Sequence, residues 1–234
     1  MKNLCKSLFL ASAVLMSSLG HAQFGSLGGL KDAMGGGDSS GGGNALQLQG
    51  ELILGMSVAM ASFLKADAKF MDAIGLKKQA NKLRKLGDQE PSENDKNLDV
   101  KFKASAEASE KMDEFMSSGK ELTAEGKKDL ADGMLPYIAG LATMAKMAKI
   151  APDFIKASAD EIKSVKNPMQ IVKIKKQFDL GIKTGKEVPK LFKKLGSSSQ
   201  NLFAFAKKNK VNTKGLTKKA EEQGVDPAMI SSWQ

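Results

Sequence analysis

Apolar positions recur three and four residues apart along most of this chain, and no period-two alternation longer than a few residues interrupts them. Between residues 45 and 86, Leu52, Met56, Ala59, Met60, Phe63, Phe70 and Ile74 form one broad stripe. That stripe predicts a long helix, or two joined near Gly75. Residues 52–64 carry no charge, which predicts a central, buried helix. Thirteen uncharged residues fall short of the roughly 20 that a bilayer span needs. Residues 87–91 break the pattern, and Ser92 with Asp95 three residues on resembles a capping arrangement that starts the next helix. In that helix Leu98, Phe102, Ser105, Ser109, Met112 and Met116 share a stripe, with two serines interrupting its apolar character. Asp99, Lys103, Glu107, Glu110 and Glu114 fall on the other faces, which places this helix on the outside of a bundle, ending near Gly119. Thr123 opens a further helix, which Pro136 kinks or restarts. Ile138, Leu141, Met144, Met147 and Ile150 are the seam of this second charge-poor segment.

The period is clearest over residues 169–195. Ile171, Ile174, Phe178, Gly181, Gly185, Val188, Phe192 and Leu195 alternate three and four apart, as in a heptad seam. Pro152 and Asn167–Pro168 mark kinks or starts before it, Asn167 being a good N-cap, and Pro189 is expected to bend or divide it. Gly196 should close this helix, with Ser197 and Gln200 as a capping box for a short helix bearing Leu202, Phe203 and Phe205. A last pair of short helices follows, the second begun by Asp226–Pro227. The expected fold is therefore all-α: a multi-helix bundle with its core in residues 45–166. Lysine-rich helices over residues 167–234 would pack on the same bundle.

The N-terminus departs from this pattern. Residues 1–22 read as a secretory signal peptide, with Lys2 and Lys6 before an apolar run at 8–16 and small residues at Gly20 and Ala22. The run is too short to anchor the chain, so cleavage and a periplasmic or secreted location are expected, with no transmembrane segment left. Cys5 and His21, the only cysteine and histidine, lie inside this segment. Residues 23–44 hold glycines in clusters around Asp38, Ser39 and Ser40, which reads as a disordered, flexible leader.

Loss of Cys5 and His21 removes the usual zinc sites, Ser-His-Asp triads and cysteine nucleophiles. The paired carboxylates Asp113/Glu114, Asp160/Glu161 and Glu221/Glu222 are sequence neighbours, which point about 100° apart on a helix and do not face each other. Residues 88–99 place oxygens at four EF-hand positions, but Glu93 stands where the loop needs glycine and Pro91 sits badly. No catalytic residue, metal site or cofactor is assigned. The expected class is a binding protein rather than an enzyme.

Charge gives that class a direction. Residues 163–219 hold sixteen lysines against Asp179 and Glu187, a balance of +14, whereas residues 23–162 balance at −3. Arg84 is the only arginine, so bidentate recognition of phosphate or guanine is not the design; diffuse attraction to an anionic surface suits lysine better. The candidate anionic-surface residues are Lys173, Lys176, Lys183, Lys186, Lys190 and Lys194, which lie away from the seam. Met144, Met147, Phe178 and Phe192 are candidates for an apolar groove, although most methionines, Met169 among them, read as core filler. Expected partners are anionic lipid or membrane surface, or an acidic or amphipathic protein. A periplasmic holdase, an extracellular nucleic-acid binder and a structural envelope component are the alternatives. Scarce arginine and the lack of an aromatic platform argue against nucleic acid.

Overall fold

The computed structural model describes residues 42–213, 215–225 and 230. The expected signal peptide, the leader up to residue 41 and the Asp226–Pro227 helix start lie outside the described residues. Six helices are described, with no strand among the described residues: α1 Gly42–Ala73, α2 Lys77–Gly87, α3 Leu98–Ser117, α4 Ala124–Ser164, α5 Pro168–Lys208 and α6 Leu216–Glu222. The all-α bundle expected from the periodicity is the fold.

α1 is the central helix. Leu52, Met56, Ala59, Met60, Phe63 and Phe70 are buried as the stripe predicts, with Asp67 buried on the same stripe, and so are Ile53, Ser57, Ala61 and Leu64 beside it and on other faces. α2, α3, α4 and α5 all pack against it. Gly75, at φ +82°, makes the turn between α1 and α2, in a left-handed conformation that a side chain would strain. The helix begins at Gly42, so the last three residues assigned to the leader belong to the bundle.

α1 and α4 form the most extensive helix pair, and glycines set their approach. Gly126, Gly133 and Gly140 stand seven residues apart on α4, facing the Ala73 carbonyl, Phe70 and Phe63 of α1. A Cβ on Gly133 would sit 2.6 Å from Phe70 Cε1, and one on Gly140 would sit 2.8 Å from Phe63 Cε1. One heptad further the roles invert: Met147 of α4 fills the space over Gly55 of α1. Small residues that admit a facing side chain let two helices pack closely along a heptad seam. α5 joins in the same way, Gly181 receiving Phe154 of α4 and Gln49 of α1, and Gly185 lying against Ile155 and Leu52.

Three sequence expectations are corrected. α3 starts at Leu98 after Asn97, not at Ser92, because Asp95 is engaged elsewhere, as described below. Neither Pro136 nor Pro152 restarts α4, which runs 41 residues from its Thr123 cap, whose hydroxyl accepts the Gly126 N–H at 3.0 Å. Likewise α5 runs 41 residues from its Asn167 cap through Pro189 and Gly196. No capping box forms at Ser197. Its hydroxyl donates to the Lys194 carbonyl at 2.9 Å and that of Ser199 to the Leu195 carbonyl at 2.6 Å, which serines can do inside a helix. The seam continues through Ser199, Leu202 and Ala206, so burial outweighs the local breakers.

Candidate functional site

α5 presents two chemically opposite faces. Phe178, Gly181, Gly185 and Val188 are buried, with Ile171, Ile174, Phe192 and Leu195 half-buried around them. Lys173, Lys176, Lys183, Lys186, Lys190 and Lys194 are all exposed, as are Lys175 and Lys193. At about 100° per residue, the six candidate lysines fall within an arc of roughly 140° on the side away from Phe178. Asp179 pairs with Lys183 at 2.6 Å and Glu187 with Lys190 at 3.0 Å. The Asp179 hydrogen bond holds the Lys183 ammonium above its ordinary range. Both pairs are solvent-exposed and add little stability, but their two carboxylates lie within the same arc and leave it a net charge of about +4. No described helix is long and apolar enough to cross a membrane.

The four groove candidates are not brought together. Met147 is spent on Gly55, Phe178 packs edge-to-face on Phe154 with centroids 6.1 Å apart, and Phe192 is half-buried. Met144 does line a cavity, of about 100 Å3, together with Met60, Phe63, Phe102, Leu191 and Leu195. Asp67, Ser105, Ser109, Tyr137, Lys194 and Ser198 supply its polar lining. The serines that interrupt the α3 stripe are thus cavity residues, and a stripe broken by two small polar groups was the signal for them.

Asp67 is 7% exposed and accepts a 2.5 Å hydrogen bond from Ser105. Burial pushes its carboxyl up to about 7, against the lowering effect of that bond. The Tyr137 hydroxyl lies 3.3 Å from Ser199 Oγ, whose own proton is committed to Leu195, so Tyr137 is the donor. Burial raises the Tyr137 hydroxyl above its ordinary range as well. Burial thus lets the Asp67 carboxyl keep its proton well above the ordinary carboxylate range, beside the apolar walls of the cavity.

A second buried ionic group, at the α1–α3 junction, has a structural role that the sequence pattern did not reveal. Lys101 is fully buried and donates to Asp95 Oδ2 at 2.7 Å, and Ser57 donates to the same oxygen at 2.5 Å. The Asn97 N–H reaches Asp95 Oδ1 at 2.9 Å. Burial would raise the Asp95 carboxyl, but these three hydrogen bonds and the Lys101 charge together hold it below its ordinary value. This is why Asp95 serves the loop and α1 instead of capping α3. Among the described residues, no cluster of three or more His, Cys, Asp or Glu side chains could hold a metal ion. Comparison with protein families, curated proteins and solved structures finds no match to this chain.

Proposed function

We propose that this chain is an exported, non-enzymatic binding protein of the cell envelope that holds an anionic lipid surface through the lysine face of α5. The observation that carries the reading is the segregation on α5: its apolar seam is consumed by α1 and α4, while six lysines stand exposed on one arc. Near an anionic membrane each such lysine contributes about 1 kcal/mol, so six lysines less the two carboxylates among them are worth roughly three orders of magnitude in affinity at low salt. Point charges on flexible stems suit a diffuse anionic plane, where arginine's fixed fork would add little. Export rests on residues 1–22, and intact mass of the exported protein should start at Gln23.

The test is co-sedimentation with phosphatidylglycerol-containing vesicles and with phosphatidylcholine alone, across a salt series. Binding should need the anionic lipid, weaken as salt rises, and disappear when Lys173, Lys176, Lys183, Lys186, Lys190 and Lys194 are reversed to Glu in a chain whose circular dichroism is unchanged. Equal binding to both vesicles, or indifference to the reversals, would rule the reading out. Salt-insensitive capture of an unfolded polypeptide would replace it with the holdase reading.

A further inference from the structure

The hairpin corner between α4 and α5 combines a run of lysines with exposed apolar side chains. Residues 162–178 contain five lysines (Lys163, Lys166, Lys173, Lys175 and Lys176) and no carboxylate. Within the same stretch lie two of the most exposed large apolar side chains in the described residues, Met169 at 76% and Val172 at 54%. Met169 therefore departs from the core-filler role that its spacing suggests. The corner is well formed: the Asn167 side chain accepts the Met169 N–H at 2.9 Å, Pro168 occupies the first helical turn, and α5 is helical from there on.

Direction on the helix decides what these side chains can meet. Met169 and Val172 are one turn apart and share a face. Counting about 100° per residue, Lys173 and Lys176 fall within roughly 40° of Met169, whereas Phe178 lies on the opposite side. The two apolar groups thus stand on the lysine face, pointing away from the bundle, and the carboxylates that flank the stretch are Glu161 at the end of α4 and Asp179, which pairs with Lys183. An apolar pair ringed by lysine ammonium groups matches a bilayer interface, where the apolar groups enter the acyl boundary and the lysines stay at headgroup level.

We infer that the α4–α5 corner is the insertion point of this protein, with Met169 and Val172 entering an anionic phospholipid bilayer while Lys166, Lys173 and Lys176 contact its headgroups. The inference rests on the lipid-surface reading above and adds orientation: the corner leads, and the rest of the lysine face lies along the surface. Electrostatic attraction then fades with salt, but the apolar contact does not.

Single-cysteine variants of the full chain, Met169→Cys, Val172→Cys and Gln200→Cys on a Cys5→Ser background, are labelled with an environment-sensitive nitrobenzoxadiazole dye. Addition of phosphatidylglycerol-containing vesicles should blue-shift and brighten the label at 169 and 172 severalfold, and leave the exposed position 200 unchanged. In unlabelled protein, Met169→Ser with Val172→Ser should weaken vesicle binding by about tenfold or more and remove the salt-resistant part, since two apolar side chains no longer enter the interface. Vesicle binding that persists with silent labels and unaffected serine variants overturns the insertion while the lipid-surface reading stands. Bright labels in phosphatidylcholine alone would keep the insertion and overturn the anionic reading. Absence of any vesicle binding by the unmodified chain overturns both.

Discussion

Replacing Gly133 with alanine tests whether the α1–α4 seam is as close as the glycine spacing implies. In an isolated helix the change would be favourable by about 1 kcal/mol, because glycine is the poorer helix former. Here the new Cβ would lie 2.6 Å from Phe70 Cε1, 2.8 Å from Phe70 Cδ1 and 2.9 Å from Lys69 Cβ. Ordinary carbon contacts are about 3.5–4.0 Å, so something must retreat by most of an ångström. The Phe70 ring is 4% exposed and tilted against Tyr137 at a centroid distance of 5.9 Å, which leaves it little room. Lys69 Cβ can move only with the α1 backbone. Overpacking of this kind costs about 1–3 kcal/mol, and in a domain of this size each kcal/mol lowers Tm by about 2–4 °C. Urea denaturation of Gly133→Ala beside Gly50→Ala makes the comparison. At Gly50 the nearest atom is Glu93 Oε2 at 3.2 Å, the end of a side chain that can swing away, so that variant should gain up to about 1 kcal/mol. Phe70→Leu should partly rescue Gly133→Ala, with a coupling of about 0.5 kcal/mol or more. If Gly133→Ala is stabilised as much as Gly50→Ala, the helices do not meet there and the packing argument is wrong.

Two further predictions concern buried charge. Asp95→Ala should cost about 3–5 kcal/mol in chemical denaturation, because it strands the fully buried Lys101 ammonium, whereas Asp95→Ala with Lys101→Met should recover much of the loss. The depressed Asp95 carboxyl stabilises the fold above its unfolded value of 3.8, and that contribution disappears as pH falls through its lower folded value, so the double variant should lose less stability in acid than the native chain. Asp67 has the opposite sign: the folded carboxyl keeps its proton up to about 7, whereas the unfolded one releases it near 3.8. Its contribution is therefore complete below that lower value and is lost as pH rises to about 7, by at most about 4 kcal/mol. Asp67→Asn should flatten this part of a stability-against-pH curve, and an unchanged slope would show that Asp67 is not the group responsible.

What could be read from the sequence was the burial period. The α1 stripe, the charge-poor 137–150 segment and the α5 seam all emerge as buried faces, and the lysines between the seam positions are all exposed. Local punctuation was less informative. Pro136, Pro152, Pro189 and the Gly196–Ser197 pair look like helix ends, yet α4 and α5 pass through each of them because the seam beyond stays in register. The Asp67 cavity and the Asp95–Lys101 pair were hidden for another reason. Lys101 reads as helix surface until its partner in the preceding loop is known, and Asp67, although it stands on the α1 stripe, meets a serine 38 residues away. The glycines at 126, 133 and 140 show the limit of a period that counts only apolar residues: the seam they build depends on the absence of a side chain.

Docking of the α5 seam also decides how the lysine face can be used. A basic amphipathic helix can reach a membrane either by lying in the interface on its apolar side or by staying in its bundle and offering its charged side. The first route would move Phe178, Val188, Leu202 and Phe203, all buried at present, into the acyl boundary and bare to water the surfaces of α1 and α4 that cover them, Leu52 and Phe154 among them. At about 1.5–3 kcal/mol for each side chain, baring Leu52 and Phe154 alone costs about 3–6 kcal/mol. The lysine arc, less Asp179 and Glu187, returns about 4 kcal/mol near an anionic surface, and it can do so without leaving the bundle. On the proposed lipid reading the helix therefore stays docked, and contact falls to the side chains already outside: the lysine arc, and at its leading end Met169 and Val172. A covalent tether between α4 and α5, such as Lys156→Cys joined to an α5 position by a long crosslinker, should on this argument leave vesicle binding intact. Loss of binding in the tethered, folded protein would mean that α5 must peel away to bind.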